Sequence, residues 1–466
     1  MRVLLIAYDN DNSIPYFPLG LAYLAAAIRS AGHEVNIYQQ DVYHYPVEHL
    51  TNYLEKNQYD IVGLGACGGY YQYDMVKRNL QAVNKVKIRP IVILGGHLMS
   101  PEPEFFLRKF SADYVVMGEG EETIVELLRF LNDEIIERST IKGIAYVDNK
   151  GIYRENECRN PIEKVDEILM PAYDLFNMEQ YVLYPAPNVK RKDRTMVMLS
   201  GRGCPFKCNF CYRMDKGFRP RTTNSIIEEI LFLVDKYHVT YINFWDELLM
   251  SSVPRVYEFC EALLKNKINI SWACNGRLNY ASKDIEMLHL MKRSGCVFIN
   301  YGIESMDDHC LKLMNKNLTT EMIKKGIENT IEANISPGLN IIFGNLGENR
   351  NVIEKDVEFL LKYDDHAQLR TIRPVTPYPG TDLYNLAIKK GMIKSIEDFY
   401  ENKHRNSDLL TCNFTDLSDD EFYSCLHWAN NTLLDNYVQH LKEKNEALLN
   451  DLYCKKSPDF RGFRMV

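Results

Sequence analysis

The sequence predicts an α/β protein with three structured parts: an N-terminal doubly wound, Rossmann-like domain, a partial (β/α)6 barrel and a mainly helical C-terminal region. Short apolar runs alternate with amphipathic stretches over residues 1–140, which is typical of parallel strands joined by helices. The same alternation returns over residues 195–382, and a long polar, amphipathic stretch follows over 383–466. Residues 141–194 fit neither pattern and are predicted to connect the two α/β parts.

The N-terminal part is predicted to form an open sheet of parallel strands. The apolar runs that predict its strands are VLLIAY, EVNIYQ, IVGLGA, IVILGG and YVVMGEGE. In open α/β sheets, ligands bind beyond the carboxyl ends of the strands. The candidate binding loops therefore begin at Tyr8, Cys67, Gly95 and Gly118.

The second α/β part is predicted to curve into a partial barrel. Its candidate strands are MVMLS, YINFWD, ISWACN, FINYGIE, GLNIIFGN and LRTIRPV. In barrels of this kind, the reacting groups lie at the carboxyl ends of the strands. The residues that follow these six runs are therefore the first candidates for catalysis.

Composition and charge favour a small-molecule substrate. Lys and Arg total 55 against 63 Asp and Glu, which gives the 466-residue chain a formal net charge of −8. Because nucleic-acid binding needs clustered cations, no nucleic-acid partner is predicted. The first apolar run ends at acidic residues, as a buried strand does, and no apolar stretch approaches the roughly 20 residues that span a bilayer. The sequence thus predicts a cytoplasmic protein without a membrane partner.

Three of the 12 cysteines form a cluster, GRGCPFKCNFCYR, directly after an apolar strand. Cys204, Cys208 and Cys211 can converge on one face of a [4Fe-4S] cluster and leave one iron open for catalysis. A structural zinc site needs four ligands, and the next candidate ligand is the distant His238. The spacing therefore favours an iron-sulfur cluster over zinc and over three unrelated core thiols.

The cysteine cluster resembles the signature of the radical S-adenosylmethionine (SAM) superfamily, C-x3-C-x2-C, in which an aromatic residue precedes the last cysteine. Phe210 fills that place. The resemblance implies that Cys204, Cys208 and Cys211 hold the catalytic cluster, that SAM binds its open iron, and that an electron from the cluster generates a 5′-deoxyadenosyl radical. It also implies an electron donor such as flavodoxin or ferredoxin.

Further segments at the predicted strand ends are similar to this family and imply the SAM contacts. FWDELLM resembles the acidic segment after the second strand, and YGIES resembles the G-x-E-S segment. Taken singly, each acidic residue could equally be a surface charge or a helix cap. Their order at successive strand ends supports a SAM site. The implied SAM-binding residues are Phe210, Tyr212, Asp246, Glu247, Arg277, Glu304 and Ser305.

The N-terminal domain resembles the cobalamin-binding domain of cobalamin (B12)-dependent radical SAM enzymes. The matching segments are FPLGLAYLAA, GGHLMSPEP and DYVVMGEGEE. The loop CGGYYQYD is expected under the corrin, and the absence of a D-x-H-x-x-G segment leaves no histidine assigned as lower axial ligand by that motif. The alternative is an ordinary doubly wound domain whose glycines only make turns. The implied cobalamin-binding residues are Pro18, Leu19, Gly20, Cys67, Tyr70, Tyr71, Gly95, Gly96, His97, Gly118, Glu119 and Gly120.

Together these features predict a class B radical SAM methyltransferase-like enzyme. The resemblance implies that methylcobalamin and a 5′-deoxyadenosyl radical would methylate an unactivated carbon of a small-molecule substrate. The first alternative is a non-methylating reaction with the same cofactors, as in cyclases or rearrangements. The second is a cobalamin or iron-sulfur sensor without catalysis. A methylthiotransferase is disfavoured, because only Cys67 precedes the connector where that family has a second cysteine cluster.

Overall fold

A computed structural model describes residues 1–134, 137–212, 214, 217–456 and 458 of the chain. The first domain is a seven-stranded sheet in the order β2-β1-β3-β4-β5-β6-β7. Its strands are β1 Arg2–Ala7, β2 Glu34–Gln39, β3 Ile61–Gly65, β4 Ile91–Gly95, β5 Tyr114–Val116, β6 Ile144–Val147 and β7 Tyr153–Glu155. β1 to β5 are parallel, as predicted, whereas β6 and β7 are antiparallel additions.

Helices lie on both faces of this sheet. They are α1 Leu19–Ser30, α2 Gln40–Tyr43, α3 Val47–Asn57, α4 Tyr70–Val83, α5 Pro103–Phe110 and α6 Glu121–Leu131. The sheet therefore has two separate apolar layers: Leu4 and Val62 point into one, and Leu5 and Ile61 point into the other. This two-sided burial explains the continuous apolar runs of the sequence, because both faces of a central parallel strand are covered.

A hairpin around Asp148 to Gly151 joins β6 to β7, so the first sheet extends past residue 140. The rest of the connector has short 3-10 turns at Val165–Glu167 and Tyr173–Leu175, followed by helix α7, Met178–Tyr181. Its aromatic side chains pack on the first domain: the Phe17 ring centroid lies 5.2 Å from that of Tyr173 and 4.9 Å from that of Phe176. This packing fixes the connector on the first domain.

The second domain is a partial barrel of six parallel strands in the order β15-β14-β13-β12-β11-β8. These strands are β8 Thr195–Met198, β11 Tyr241–Phe244, β12 Ser271–Gly276, β13 Cys296–Glu304, β14 Ser336–Phe343 and β15 Arg373–Pro374. A separate two-stranded ladder pairs β9 Gly201–Arg202 with β10 Arg219–Pro220. The six strands confirm the predicted partial barrel, although the sixth has only two residues.

The helices of this domain cover the outside of the barrel. They are α8 Thr223–Tyr237, α9 Val253–Lys265, α10 Leu278–Ala281, α11 Ile285–Arg293, α12 Asp308–Leu313, α13 Thr320–Glu332, α14 Arg350–Tyr363 and α15 Asp382–Lys389. Side-chain caps begin several of them: Thr222 accepts from the Ser225 amide at α8, and Asn349 accepts from the Val352 amide at α14. Such caps satisfy amides that have no partner within the helix.

The C-terminal region is mainly helical, as predicted. Helix α16, Asp419–Leu449, begins with a capping box between Ser418 and Glu421. Its Phe422 packs on Phe343 of β14 with the ring centroids 4.9 Å apart, which fastens the helix to the barrel. Among the described residues, no helix is both long enough and apolar enough to cross a membrane.

Candidate active site between two sheets

The three clustered cysteines lie on a loop whose two ends are paired with each other. Gly201–Arg202 and Arg219–Pro220 form an antiparallel ladder, so the chain leaves and returns at the same point above β8. Only glycine fits at position 201, because a Cβ atom there would lie 2.5 Å from the Phe218 ring. The ladder thus fixes the base of the cysteine loop at the carboxyl edge of the barrel.

The cysteine thiols have the donor chemistry that an iron-sulfur cluster needs. Cys208 is buried, Cys204 is half-buried and Cys211 is exposed. The hydrogen bond with Cys211, helped by the positive charges of Lys316 and Arg277, lowers the Cys208 pKa to about 6. Within the described part of the chain, no three His, Cys, Asp or Glu side chains are prearranged around a metal position. Ligation by all three thiols therefore stays a prediction that their chemistry and shared loop support.

Cationic side chains surround the cysteine loop. Arg277 lies with its guanidinium 3.5 Å from the centroid of the Phe206 ring and donates from Nη2 to the Lys316 carbonyl at 3.0 Å. Lys316 is buried and donates from Nζ to Oε1 of Glu304 at 2.6 Å. The two cations favour the thiolate form of Cys208, the form that binds iron, whereas burial raises the pKa of Cys204.

Glu304 has a backbone conformation that few side chains adopt. Its φ of 72° lies in the left-handed region, at the end of β13. Gly302 leaves the space that this arrangement requires, since a Cβ atom there would overlap both Glu304 and Lys316. The geometry indicates that the Glu304–Lys316 ion pair is held in a fixed position at the mouth of the barrel.

Lys316 is the residue that sequence reasoning missed. It is only 6% exposed, which is rare for a lysine, and it lies 11 residues after Ser305, the last residue of the G-x-E-S segment. A lysine in a helical, polar context looks like a surface residue. Only its tertiary position, between Glu304 and the Phe210 ring, assigns it to the site.

The two acidic candidates after β11 have different environments. Asp246 is buried, and its carboxylate accepts from the Ser200 amide at 2.6 Å and from the Ser200 hydroxyl at 2.7 Å. Glu247 is exposed and has no hydrogen-bond partner among the described residues. Although the Glu247 side chain is partly exposed, the surrounding protein removes water from its carboxyl group and so raises its pKa, and the Asp246 charge raises that pKa further. Asp246 thus holds the end of β8, whereas Glu247 is free to meet a ligand.

Two other predicted SAM contacts are turned into the protein. The Phe210 side chain packs on an apolar cluster of Cys310, Met314 and Val352. Ser305 is fully buried, and its hydroxyl has no hydrogen-bond partner among the described residues. Phe210 thus lies on the cysteine loop with its ring partly buried, whereas Ser305 lies at the end of β13 without an exposed face.

Asn209 docks the cysteine loop onto the rest of the barrel. Its amide side chain exchanges two hydrogen bonds with that of Asn345, each 3.1 Å long, and its amide nitrogen donates to the Met314 carbonyl at 3.0 Å. Its carbonyl accepts from the amide of Leu383 at 3.0 Å. The loop is thus anchored to three other segments of the second domain.

The first domain contacts the same loop through Tyr212. The Tyr212 ring meets the exposed His97 edge-to-face, with centroids 5.8 Å apart. Gly380 packs beneath this ring, where a Cβ atom would overlap it. His97 follows β4 and Tyr212 follows the last clustered cysteine, so the edges of the two sheets meet here.

Glu119 forms a second link between the domains. Its carboxylate binds Arg202 at 3.0 Å and Arg219 at 2.9 Å, the two arginines that face each other at the base of the cysteine loop. Glu121 also binds Arg202, at 2.5 Å. Although burial alone would raise the pKa of Glu119, the two arginines lower it. Glu119 was predicted as a cobalamin contact, but its carboxylate is committed to these ion pairs.

The remaining cobalamin candidates line the carboxyl edge of the first sheet. Gly96 has φ of 90°, and a Cβ atom there would lie 2.5 Å from the Ala66 carbonyl oxygen. Cys67 is exposed, and Tyr70 and Tyr71 form the first turn of α4. The other candidates lie at the end of β4, at the starts of α1 and α6 and in the loops before these helices: Pro18, Leu19, Gly20, Gly95, Gly118 and Gly120.

Three aromatic rings pack together beside the end of β11. Tyr16, in the loop after β1, lies 5.4 Å from Trp245 at the end of β11 and 6.3 Å from Tyr184 of the connector, measured between ring centroids. Trp245 is 38% exposed, which is high for tryptophan. All three structural parts thus contribute a ring to this cluster.

Comparison with known proteins agrees with this architecture. The model of the radical SAM superfamily matches residues 198–360, and that of the B12 binding domain matches residues 14–128. The uncharacterized methyltransferase PH0819 of Pyrococcus horikoshii is 30% identical over 405 residues, which span 84% of this chain and 84% of that protein. The anaerobic magnesium-protoporphyrin IX monomethyl ester cyclase of Rubrivivax gelatinosus is 27% identical over 386 residues, 79% of this chain and 65% of that protein.

The fold is shared with a solved structure. The cobalamin-dependent S-adenosylmethionine radical enzyme OxsB, with aqua-cobalamin bound, superposes with a TM-score of 0.64 at 20% identity over 84% of this chain, which spans 55% of the OxsB chain. The order of the domains, the barrel fold and the match to PH0819 over most of both chains thus point to the same family. The chain belongs to the cobalamin-dependent radical SAM enzymes, whose cofactors are a [4Fe-4S] cluster, SAM and cobalamin.

Proposed function

We propose that this enzyme methylates an unactivated carbon of a small-molecule substrate. One observation carries the proposal: the edge of the first sheet meets the cysteine loop directly, through His97 and Tyr212. Methyl transfer to a substrate radical needs near contact between the methyl donor and the reacting carbon. The methyltransferase relative, 30% identical over most of both chains, supports the same outcome.

At the barrel mouth, we assign the cluster to Cys204, Cys208 and Cys211. Glu247 is the free carboxylate for the SAM ammonium group, because both oxygens of Asp246 are bound to Ser200. Arg277 and the Glu304–Lys316 pair supply fixed charges for the carboxylate and amino groups of SAM. Tyr212 lies at the boundary with the first domain and separates the two cofactor sites.

At the edge of the first sheet, glycines make room for the corrin. Gly68, Gly69 and Gly96 have φ values of 130°, 110° and 90°, which bring backbone rather than side chains to the surface. Cys67, Tyr70 and Tyr71 follow β3 and are the proposed residues under the corrin, and His97 is the proposed contact to the nucleotide tail. In the proposal, Glu119 positions the cysteine loop instead of touching cobalamin.

When bound, the cluster supplies the electron that cleaves SAM, and cobalamin carries the methyl group. The chain's own part is to hold these groups at fixed separation and to exclude water. In the proposal, the aromatic rings of Tyr16, Tyr184 and Trp245 shield one side of the space between the carboxyl edges of the two sheets. We further propose a cytoplasmic enzyme that receives its electron from a flavodoxin or ferredoxin.

The test uses SAM with a deuterated methyl group. The full-length protein, reconstituted anaerobically with iron, sulfide and cobalamin, is incubated with this SAM, a low-potential reductant and a metabolite extract. We expect 5′-deoxyadenosine together with a product that carries the deuterated methyl group. Formation of 5′-deoxyadenosine and a new product without label would favour the non-methylating alternative, the outcome suggested by the cyclase relative. A fully loaded protein that never cleaves SAM would favour the sensor.

A further inference from the structure

The inner face of the barrel has a row of hydrogen-bonded asparagines. Asn275 of β12 donates from Nδ2 to the Asp246 carbonyl at 3.0 Å, and Asn300 of β13 donates from Nδ2 to Oδ1 of Asn275 at 3.0 Å. Asn340 of β14 donates from Nδ2 to Oδ1 of Asn300 at 2.7 Å. Three adjacent strands thus contribute one amide each to a continuous row, which we call the asparagine ladder.

The ladder lies directly beneath the predicted SAM contacts. Side chains two residues apart on a strand share a face. Asn275 comes two residues before Arg277, and a Cβ atom at Gly302, two residues after Asn300 on the same strand, would overlap both Glu304 and Lys316. Ala273 and Phe298, two residues before the ladder on each strand, form an apolar layer below it. The ladder is therefore the polar floor of the space that opens at the barrel mouth.

Two features show that the neighbouring structure accommodates the ladder. Gly338 is paired with Asn300 in the sheet, and a Cβ atom at this glycine would overlap the Asn300 amide oxygen. Asn340 is also held by the Tyr301 carbonyl, to which its Nδ2 donates at 3.0 Å. A side chain of ordinary size at position 338 would push the Asn300 amide out of line. The amide positions are thus fixed before any ligand arrives.

The ladder has unused hydrogen-bonding capacity. Each asparagine side chain offers two N–H donors and two acceptor positions. Asn275 and Asn300 each use one donor and one acceptor within the ladder, so each has one of both kinds left. Both side chains are half-exposed and Asn340 is exposed. No lysine or arginine side chain bonds to the ladder within the described part of the chain, so its surface is polar but uncharged.

Trp245 adds a flat apolar surface at the same mouth. It lies two residues beyond Asn243, and Asn243 lies two beyond Tyr241, which belongs to the same apolar layer as Ala273 and Phe298. Trp245 therefore shares the inner face of the barrel with the ladder. Contacts with Tyr16 and Tyr184 hold the ring, and 38% of the residue stays exposed.

We propose that the asparagine ladder and Trp245 form the substrate pocket and that the substrate contains a planar nitrogen heterocycle. An amide with a donor and an acceptor side by side pairs with the mixed donor and acceptor edge of such a ring, as asparagine does with adenine in nucleic-acid recognition. The indole face stacks on a flat π-system. A saturated lipid would leave the amides unpaired, and a polyanion would find no cation on the ladder. This inference rests on the proposed function, because it assumes a small substrate between the two cofactor sites.

The test uses 2-aminopurine, a fluorescent planar nitrogen heterocycle whose emission falls when it stacks on an aromatic ring. The reconstituted full-length protein is saturated with SAM, without reductant, and titrated with the probe. We expect saturable quenching, and about tenfold weaker binding for Trp245→Leu and for Asn300→Leu, which keeps the branching of the side chain but removes its hydrogen-bonding groups. Trp245→Phe keeps a ring and should restore much of the affinity. Trp428→Leu removes another partly exposed tryptophan, on α16, and should change nothing.

Three results would overturn the inference: quenching that does not saturate, equal affinities for wild type and for folded Trp245→Leu and Asn300→Leu, or quenching that occurs only when SAM is left out. The last would show that the ladder binds the adenine of SAM instead of the substrate. Circular dichroism identifies variants that fail to fold, and Asn340→Leu, at the exposed end of the ladder, then replaces Asn300→Leu. Label transfer from deuterated SAM without probe binding would refute only this inference. Probe binding without label transfer would refute only the proposed methylation.

Discussion

The two parallel sheets present different chemistry at their carboxyl edges. At the barrel edge, charged side chains are held in place by specific partners. Lys316 forms an ion pair with Glu304, and the Ser200 hydroxyl donates a hydrogen bond to Asp246. At the edge of the first sheet, glycines with positive φ bring the backbone to the surface, as at Gly69 and Gly96. A small charged ligand needs fixed charges, whereas a large flat ligand needs space. The contrast therefore matches SAM to the barrel and cobalamin to the first sheet.

The largest effect is expected from Cys208→Ala at the barrel edge. Removal of one of three thiolate ligands should abolish the [4Fe-4S] cluster and SAM cleavage, because three thiolates leave only one iron open. The measurement is iron content and visible absorption after anaerobic reconstitution. Cys412→Ala is the matched control, because it removes a buried thiol from the apolar layer that contains Leu4 and Val62. This variant should keep the cluster. Full activity of the Cys208 variant would contradict the cluster assignment.

The next effect should come from Glu119→Gln, which breaks the link between the two edges. Glu119 is buried between Arg202 and Arg219, and loss of one partner from a buried ion pair typically costs about 3–5 kcal/mol of unfolding free energy. Chemical denaturation measures the loss. Glu122→Gln removes an exposed carboxylate from the neighbouring helix turn and should cost less than about 1 kcal/mol. Equal losses in the two variants would contradict the role of Glu119.

The same ion pairs predict a pH dependence. The folded protein lowers the pKa of Glu119 below its ordinary 4.5, so the stabilisation is present at and above that pH. It should be lost as the pH falls through the lowered pKa, because the carboxylate is then protonated in both states. The difference in unfolding free energy between wild type and Glu119→Gln should therefore be smaller in strong acid than at neutral pH. An increase in this difference on acidification would contradict the lowered pKa of Glu119.

Gly96→Ala tests the other edge and should have a smaller effect. The left-handed φ and the nearby Ala66 carbonyl together make alanine strained, at a cost of about 1–3 kcal/mol. Cobalamin affinity, measured by absorption titration, should fall as well. Gly118→Ala has a positive φ but open space around it, so it separates backbone strain from steric overlap. If Gly96→Ala had normal stability and normal cobalamin affinity, close packing of cobalamin against the backbone at Gly96 would be excluded.

The smallest effect is expected for Glu247→Gln. This exposed residue makes no bond with other described residues, so stability should be unchanged, while SAM affinity should fall about tenfold through loss of one charged hydrogen bond. Asp246→Asn should do the reverse: it weakens the bonds to Ser200 and lowers stability. Equilibrium dialysis with SAM and thermal denaturation distinguish the two. If the two variants behaved alike, the division of roles would be wrong.

The sequence predicted the fold well because its signals are local. Runs such as VLLIAY and IVILGG have the length and composition of strands buried on both faces, and the structure places them as β1 and β4. The predicted length of the sixth barrel strand was too great, because LRTIRPV is apolar enough for a strand but pairs over only Arg373–Pro374. Strand pairing depends on a neighbour, which a single segment does not encode.

The sequence by itself determined the order of the domains, the cysteine cluster and the glycine-rich loops, since each depends on residues close together in the chain. Only the tertiary structure decided how the charges are used. It bound Glu119 to Arg202 and Arg219, engaged Asp246 with Ser200 and brought Lys316 to Glu304. The physical reason is that an ion pair depends on distance in space. A carboxylate buried beside a cation and one that faces a ligand look the same in the sequence.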